Sequence, residues 1–173
     1  MSNKRGRGSI DPNALPVNDD ETLIRLLCSP LYYDAENDLV NNDAFDLRIL
    51  KSGKLETYVS LARLKMFSSQ DEINQYLSSA GYKMWDDKDD CEQNYYGYGV
   101  FNCGDAREVH DMIEVNPVNE GAPSHIGLFY KDDNGSYFKG PLPKNEIINE
   151  VLSDLAELLE VKKAPQRADS IKV

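Results

Sequence analysis

The apolar stripe Ile147, Ile148, Val151, Leu152, Leu155, Leu158 and Leu159 constrains this chain most. These residues recur at the three- and four-residue steps that bring side chains onto one side of a 3.6-residue turn. The spacing predicts a helix over 143–161, with Pro141 and Pro143 at its start and Glu146 in the first turn, where the helix dipole favours an acid. A helix with a single apolar side must be covered; the usual cover is a sheet, and a partner's groove is the less common one. The remainder of the chain is therefore expected to supply strands.

It does so in short separate runs. Thr22 to Cys28 is a compact apolar segment closed by Pro30 and reads as a strand; the acids Asp19, Asp20 and Glu21 before it leave a short capped helix as the other reading. Phe45, Leu47 and Ile49 alternate with Asp46 and Arg48, Ser52-Gly53 is a turn, and Leu55 to Leu64 follows, so 45–64 reads as a hairpin. Ser69 and Glu72 form a capping-box pattern at the start of a helix carrying Ile73, Tyr76 and Leu77, which Gly81 is expected to stop. The acidic stretch from Trp85 to Glu92 lacks the central glycine of a calcium loop and reads as a solvated loop.

Gly97 and Gly99, just before Val100-Phe101, point to a bulge or to the close approach of another backbone. They precede a strand instead of opening a helix after one, which excludes a dinucleotide fingerprint. Gly104-Asp105 is expected to cap a helix from Ala106 to Ile113. Ser124 to Lys131 alternates as a strand, and Asp133-Asn134-Gly135 is a hairpin turn returning through Tyr137-Phe138. The fold class that follows is α+β: a mixed, mainly antiparallel sheet with the C-terminal amphipathic helix packed on one face.

The 173 residues suit one domain, and no apolar run is long enough to span a bilayer. The charged N-terminus has no apolar stretch behind it, so no secretory signal is expected. Cys28, Cys91 and Cys103 are an odd set without a Cys-x-x-Cys pair, which reads as reduced thiols in a cytoplasm. Charge is unevenly placed. Residues 1–8 and 162–173 each carry +3, and taking both from the total of −11 leaves −17 on the body. The expected division is a flexible basic arm over 1–18, one acidic domain over 19–161 and a flexible basic tail over 162–173. An acidic body repels phosphate backbones and attracts basic partners.

Five side chains stand out for chemistry. His125 follows a Gly-Ala-Pro-Ser turn at the mouth of a strand, where a proton-shuttling histidine could be presented or a structural one could bond a carbonyl. Ser60 lies within a strand and lacks the Gly-x-Ser-x-Gly elbow of an exposed nucleophile. Arg25 interrupts an apolar segment, either as a surface residue or as an inward fork for an anion. His110 reads as a surface residue. Cys103 precedes a helix, where a thiol can be activated, though a buried inert cysteine fits as well. The two histidines are not at metal-ligand spacing, and neither metal nor cofactor is expected.

Leu23-Ile24-Arg25, Phe45 before a glycine turn, Tyr58-Val59-Ser60-Leu61, Gly97-Tyr98-Gly99-Val100-Phe101 and Ser124-His125-Ile126 occur in that order. Over residues 19–130 this resembles a poorly characterised bacterial protein family with an early Leu-x-Arg segment, a Leu-Ser-Val segment and a late His-Ala segment. The family has Ser-Val-Asp where this chain has Ser60-Leu61-Ala62, and His-Ala where it has His125-Ile126. The resemblance implies bacterial origin and no particular reaction, and it makes Arg25, Ser60 and His125 a trio to test together. The functional expectation is a non-catalytic interaction protein, an accessory, immunity-type or complex subunit with a basic protein partner. The alternative is a small enzyme or nucleotide-type ligand binder with that trio in one pocket.

Overall fold

A computed structural model describes residues 9–50, 52–86 and 94–164. In chain order the strands are β1 (Thr22–Ser29), β2 (Tyr33–Asp34), β3 (Leu39–Val40), β4 (Val59–Arg63), β5 (Asn94–Asn102), β6 (Ile113–Pro117), β7 (His125–Tyr130) and β8 (Glu160–Lys163). The helices are α1 (Gln70–Asp86), α2 (Cys103–Val109) and α3 (Glu146–Glu157). Six strands form one sheet in the order β6-β7-β4-β1-β5-β8, and every pairing in it is antiparallel. The α+β class and the mainly antiparallel sheet are as expected from the sequence.

The strand period sorts side chains onto two faces. On the first lie Leu23 and Leu27 of β1, Leu61 of β4 and Ile126 and Leu128 of β7, buried against Ile148, Val151, Leu152 and Leu155 of α3 and against α2. This is the docking that the helical stripe required. On the second face Ile24 and Ala62 pack with Leu77 of α1, flanked by Ile73, Tyr76, Tyr98 and Val100. One sheet is thus covered by helices on both sides along its β1–β5 part.

Local chemistry sets the helix starts. The Ser69 hydroxyl accepts from the Glu72 N–H at 3.2 Å, while the Glu72 carboxylate takes the Ser68 N–H at 2.7 Å, one residue before the expected partner. α1 runs through Gly81 instead of stopping there. A side chain on Gly81 would run into the Tyr95 ring, so this glycine permits packing rather than ending the helix. α2 starts earlier than expected because Asn102, not Gly104 or Asp105, is its cap: the Asn102 side chain accepts from the Asp105 N–H at 3.0 Å.

Three further expectations need correction. Residues 45–49 are not a strand. A short 3-10 helix spans Asn42–Phe45, Ile49 and Leu55 form only an isolated bridge, and the next strand starts at Val59. The Asp46 carboxylate replaces the ladder there, accepting from the Leu47 N–H at 2.8 Å and the Leu142 N–H at 3.3 Å, with the Lys144 ammonium at 2.5 Å. The C-terminal helix covers Glu146–Glu157 and not 143–161, because Asn145 caps it and the chain then turns into β8. Gly97 and Gly99 make that turn possible: a side chain on Gly97 would strike the Lys162 backbone, and one on Gly99 would meet Leu159 at 2.8 Å. Lys162 and Lys163 therefore belong to the sheet edge.

The third correction concerns residues 9–18, read as part of an arm. Ile10 bridges Val118, the Asp11 N–H donates to Pro117 at 2.9 Å, and Val17 is buried. Arg63, only 1% exposed, holds this segment through its Nη1 to the Leu15 carbonyl at 2.7 Å and its Nη2 to the Pro16 carbonyl at 2.9 Å. The same guanidinium grips both Glu21 carboxylate oxygens at 2.8 Å. Of the acidic stretch Trp85–Glu92, expected to be a solvated loop, Trp85 and Asp86 belong to the end of α1, and 87–92 lie outside the described residues, as do residues 1–8 and those beyond 164.

Candidate functional site

The register of β4 with β7 decides which polar groups meet. Ser60 lies opposite Gly127 and Ala62 opposite His125. Ser60 and His125 are therefore diagonal neighbours on the second face, within reach of side-chain contact. The His125 Nε2 lies 3.3 Å from the Ser60 hydroxyl. The other ring nitrogen, Nδ1, is 2.7 Å from the Glu120 carbonyl. A carbonyl only accepts, so Nδ1 carries the proton, and in the neutral ring Nε2 presents its lone pair to the Ser60 O–H. Ser60 is exposed and His125 half-buried.

The turn before β7 is shaped around this ring. Gly121 has φ 77°, a left-handed conformation that glycine adopts without strain. A side chain there would come within 3.3 Å of the His125 Nδ1. The His125 N–H closes the turn onto the Ala122 carbonyl at 2.8 Å. The histidine is thus held by its backbone, by one ring nitrogen and by the Tyr58 ring, whose centroid is 5.8 Å away.

Arg25 does not join that pair at its hydroxyl. It leaves β1 on the first face, the side of Leu23 and Leu27, and is 7% exposed. Its Nε donates to the Ala44 carbonyl at 2.8 Å, and its guanidinium lies 4.8 Å from the centre of the Tyr32 ring. The ladder between β1 and β4 ends after Ile24 and Ala62. Beyond that point the Arg25 Nη1 takes up the Ser60 carbonyl at 3.2 Å. Arg25 therefore caps backbone where two strands part. Ser60 belongs to both sets, with its carbonyl on Arg25 and its hydroxyl on His125.

The other candidates are accounted for locally. His110 is exposed just past α2, and its Nδ1 accepts from the Met112 N–H at 3.0 Å. Cys103 is buried, and burial pushes its thiol up to about 11, with Arg107 pulling the other way. That thiol is not activated by its helix. Among the described residues no group of three or more His, Cys, Asp or Glu could hold a metal ion, and no helix is long and apolar enough to cross a membrane.

Sequence reading missed the aromatic surround. Phe129 shares the face of His125 and Gly127 and is buried between two tyrosines, with ring centroids 5.2 Å from Tyr58 and 5.2 Å from Tyr137. The Tyr58 hydroxyl donates to Glu120 at 3.1 Å, and burial followed by that carboxylate pushes its ionisation up. The Tyr137 hydroxyl sits 3.2 Å from Glu114, and burial and then Glu114 raise it too. Lys131 pairs with Glu114 at 2.7 Å and stands 5.6 Å over the Tyr137 ring. Burial works to raise the Glu114 carboxyl, but bonding to Lys131 and its neighbours prevails and lowers it. One signal was available: Tyr58 lies two residues before Ser60, and Phe129 four after His125, so strand alternation places each pair on one face.

Comparison with protein-family models, with curated proteins and with solved structures finds no match to this chain.

Proposed function

We propose that this protein is an accessory interaction protein that takes a basic segment of a partner protein on the part of the second face formed by β4, β7 and β6. The observation that carries this reading is Lys131, seated over the Tyr137 ring and paired with Glu114. The chain already binds one of its own lysines there by the two interactions a partner's lysine or arginine would use, cation–π contact and a carboxylate. Tyrosine is also a residue type enriched where proteins meet, because its ring and hydroxyl serve apolar and polar contacts together. The body charge of −17 supports the same choice, since it steers basic partners and repels acidic ones.

The test is quantitative capture from native cells, with wild type and a Tyr58→Ala/Tyr137→Ala double variant as parallel baits. The reading predicts a stoichiometric partner retained by wild type, released by added salt as exposed charges are screened, and reduced by at least about tenfold on the variant. Equal retention on both baits removes the face from the account.

A further inference from the structure

Ser60 and His125 have a chemical capacity that binding does not use. We propose that Ser60 is a nucleophile activated by His125 and that the pair acts on small neutral or cationic esters. Three features combine. The Ser60 hydroxyl is exposed, so an electrophile can reach it. The His125 Nε2 stands 3.3 Å from that hydroxyl, within the looser range of an unliganded nucleophile–base pair. The Glu120 carbonyl, 2.7 Å from Nδ1, fixes the tautomer that leaves Nε2 as the acceptor, the orienting role that a carboxylate plays in the familiar triad. Gly121, in its left-handed conformation, belongs to the turn that holds this carbonyl against the ring.

The step balances without another reagent. The Ser60 oxygen forms a bond to the ester carbonyl carbon while His125 Nε2 takes the Ser60 proton. That proton passes to the departing alcohol oxygen as the carbon–oxygen bond breaks, leaving an acyl ester on Ser60. Water then adds to the acyl carbon, giving its proton to the same Nε2, and the proton returns to Ser60 as the carboxylic acid leaves. The half-buried Tyr58 ring, with its centroid 5.8 Å from that of His125, offers an apolar wall for the acyl group beside the pair. The −17 body disfavours anionic substrates, phosphate esters included.

The experiment treats the full chain with excess fluorophosphonate probe at neutral pH and follows intact mass and peptide mass. The expected result is a single adduct on Ser60, none on that peptide in Ser60→Ala, and labelling slower by about 100-fold or more in His125→Gln. Hydrolysis of p-nitrophenyl acetate should fall with the same two substitutions. Melting curves matching wild type separate loss of chemistry from loss of fold. If His125→Gln unfolds, His125→Asn takes its place, and Ser60→Ala, at an exposed position, remains the decisive variant. No adduct on Ser60 in the folded wild type overturns the proposal. So does an adduct formed at the same rate without the imidazole.

Discussion

The second face of the sheet is finished in two ways. Over β1 and β5 it is sealed by α1, with Leu77 fully buried against Ile24 and Ala62. Over β7 and β6 the Tyr58 and Tyr137 rings lie against Phe129, and polar groups stand beside them. The first region buries aliphatic side chains, whose value is their removal from water. The second keeps tyrosine hydroxyls, carboxylates, a lysine and a serine–histidine contact near solvent. Two parts of one face thus differ: the first buries aliphatic side chains under a helix, and the second keeps polar groups beside its aromatic rings.

Substitutions should separate the two parts by size of effect. The largest loss is expected at the buried pair below them. Glu21→Ala leaves the Arg63 guanidinium buried without its carboxylate, a change that costs about 3–5 kcal/mol, read as a lower urea midpoint with an unchanged slope. The same pair gives a pH dependence. Burial pushes the Glu21 carboxyl up, but the hydrogen bonds from Arg63 and Asn18 and the Arg63 charge prevail, and its folded value is lowered. A depressed acid adds stability above its unfolded value of about 4.3 and loses it as pH falls through the folded value. The urea midpoint of wild type should therefore drop below that pH more steeply than that of Glu21→Gln.

Next in size is Leu77→Ala on the sealed part, expected to cost about 2–5 kcal/mol through lost burial and a residual cavity. On the open part the order of effects reverses. Tyr137→Ala removes one aromatic contact worth about 1 kcal/mol to the fold, yet it should weaken partner binding by at least about tenfold. Ser60→Ala is the smallest for stability, within about 0.5 kcal/mol as an exposed position. A Ser60→Ala loss as large as that of Leu77→Ala would erase the distinction between the two parts.

Periodicity carried much of the fold. The strands around Leu23–Leu27 and His125–Tyr130, the start of α1 and the apolar side of α3 all follow from local pattern, because each side chain's face is set by its own neighbours in sequence. The misreadings arise where distant groups decide. Phe45, Leu47 and Ile49 alternate like a strand, but Asp46 satisfies backbone that a ladder would have paired. Val161 looks like the end of a helix until Gly97 and Gly99 leave room for β8 beside β5. Residues 9–18 look like an arm until Arg63, about 47 positions away, takes their carbonyls.

The candidate site was legible in its members but not in its geometry. Ser60, His125 and Arg25 could be named from residue type and position. Their grouping depends on β4 pairing with β7 across 65 positions instead of with the preceding segment, and no local pattern encodes that choice. The register of β1 on β4 places the Arg25 side chain and the Ser60 hydroxyl on opposite faces. Tyr58 and Phe129 went unnoticed because aromatic residues in a strand pattern read as core; Phe129 is indeed buried, while Tyr58 beside it is only half-buried.

The most direct measurement is hydroxyl-radical footprinting of the protein alone and in complex with its captured partner, resolved to single residues. The account predicts that Tyr58 and Tyr137 become protected together while Tyr76, on α1, keeps its reactivity. Unchanged oxidation of Tyr58 and Tyr137 in a stoichiometric complex would contradict it and place the working surface elsewhere.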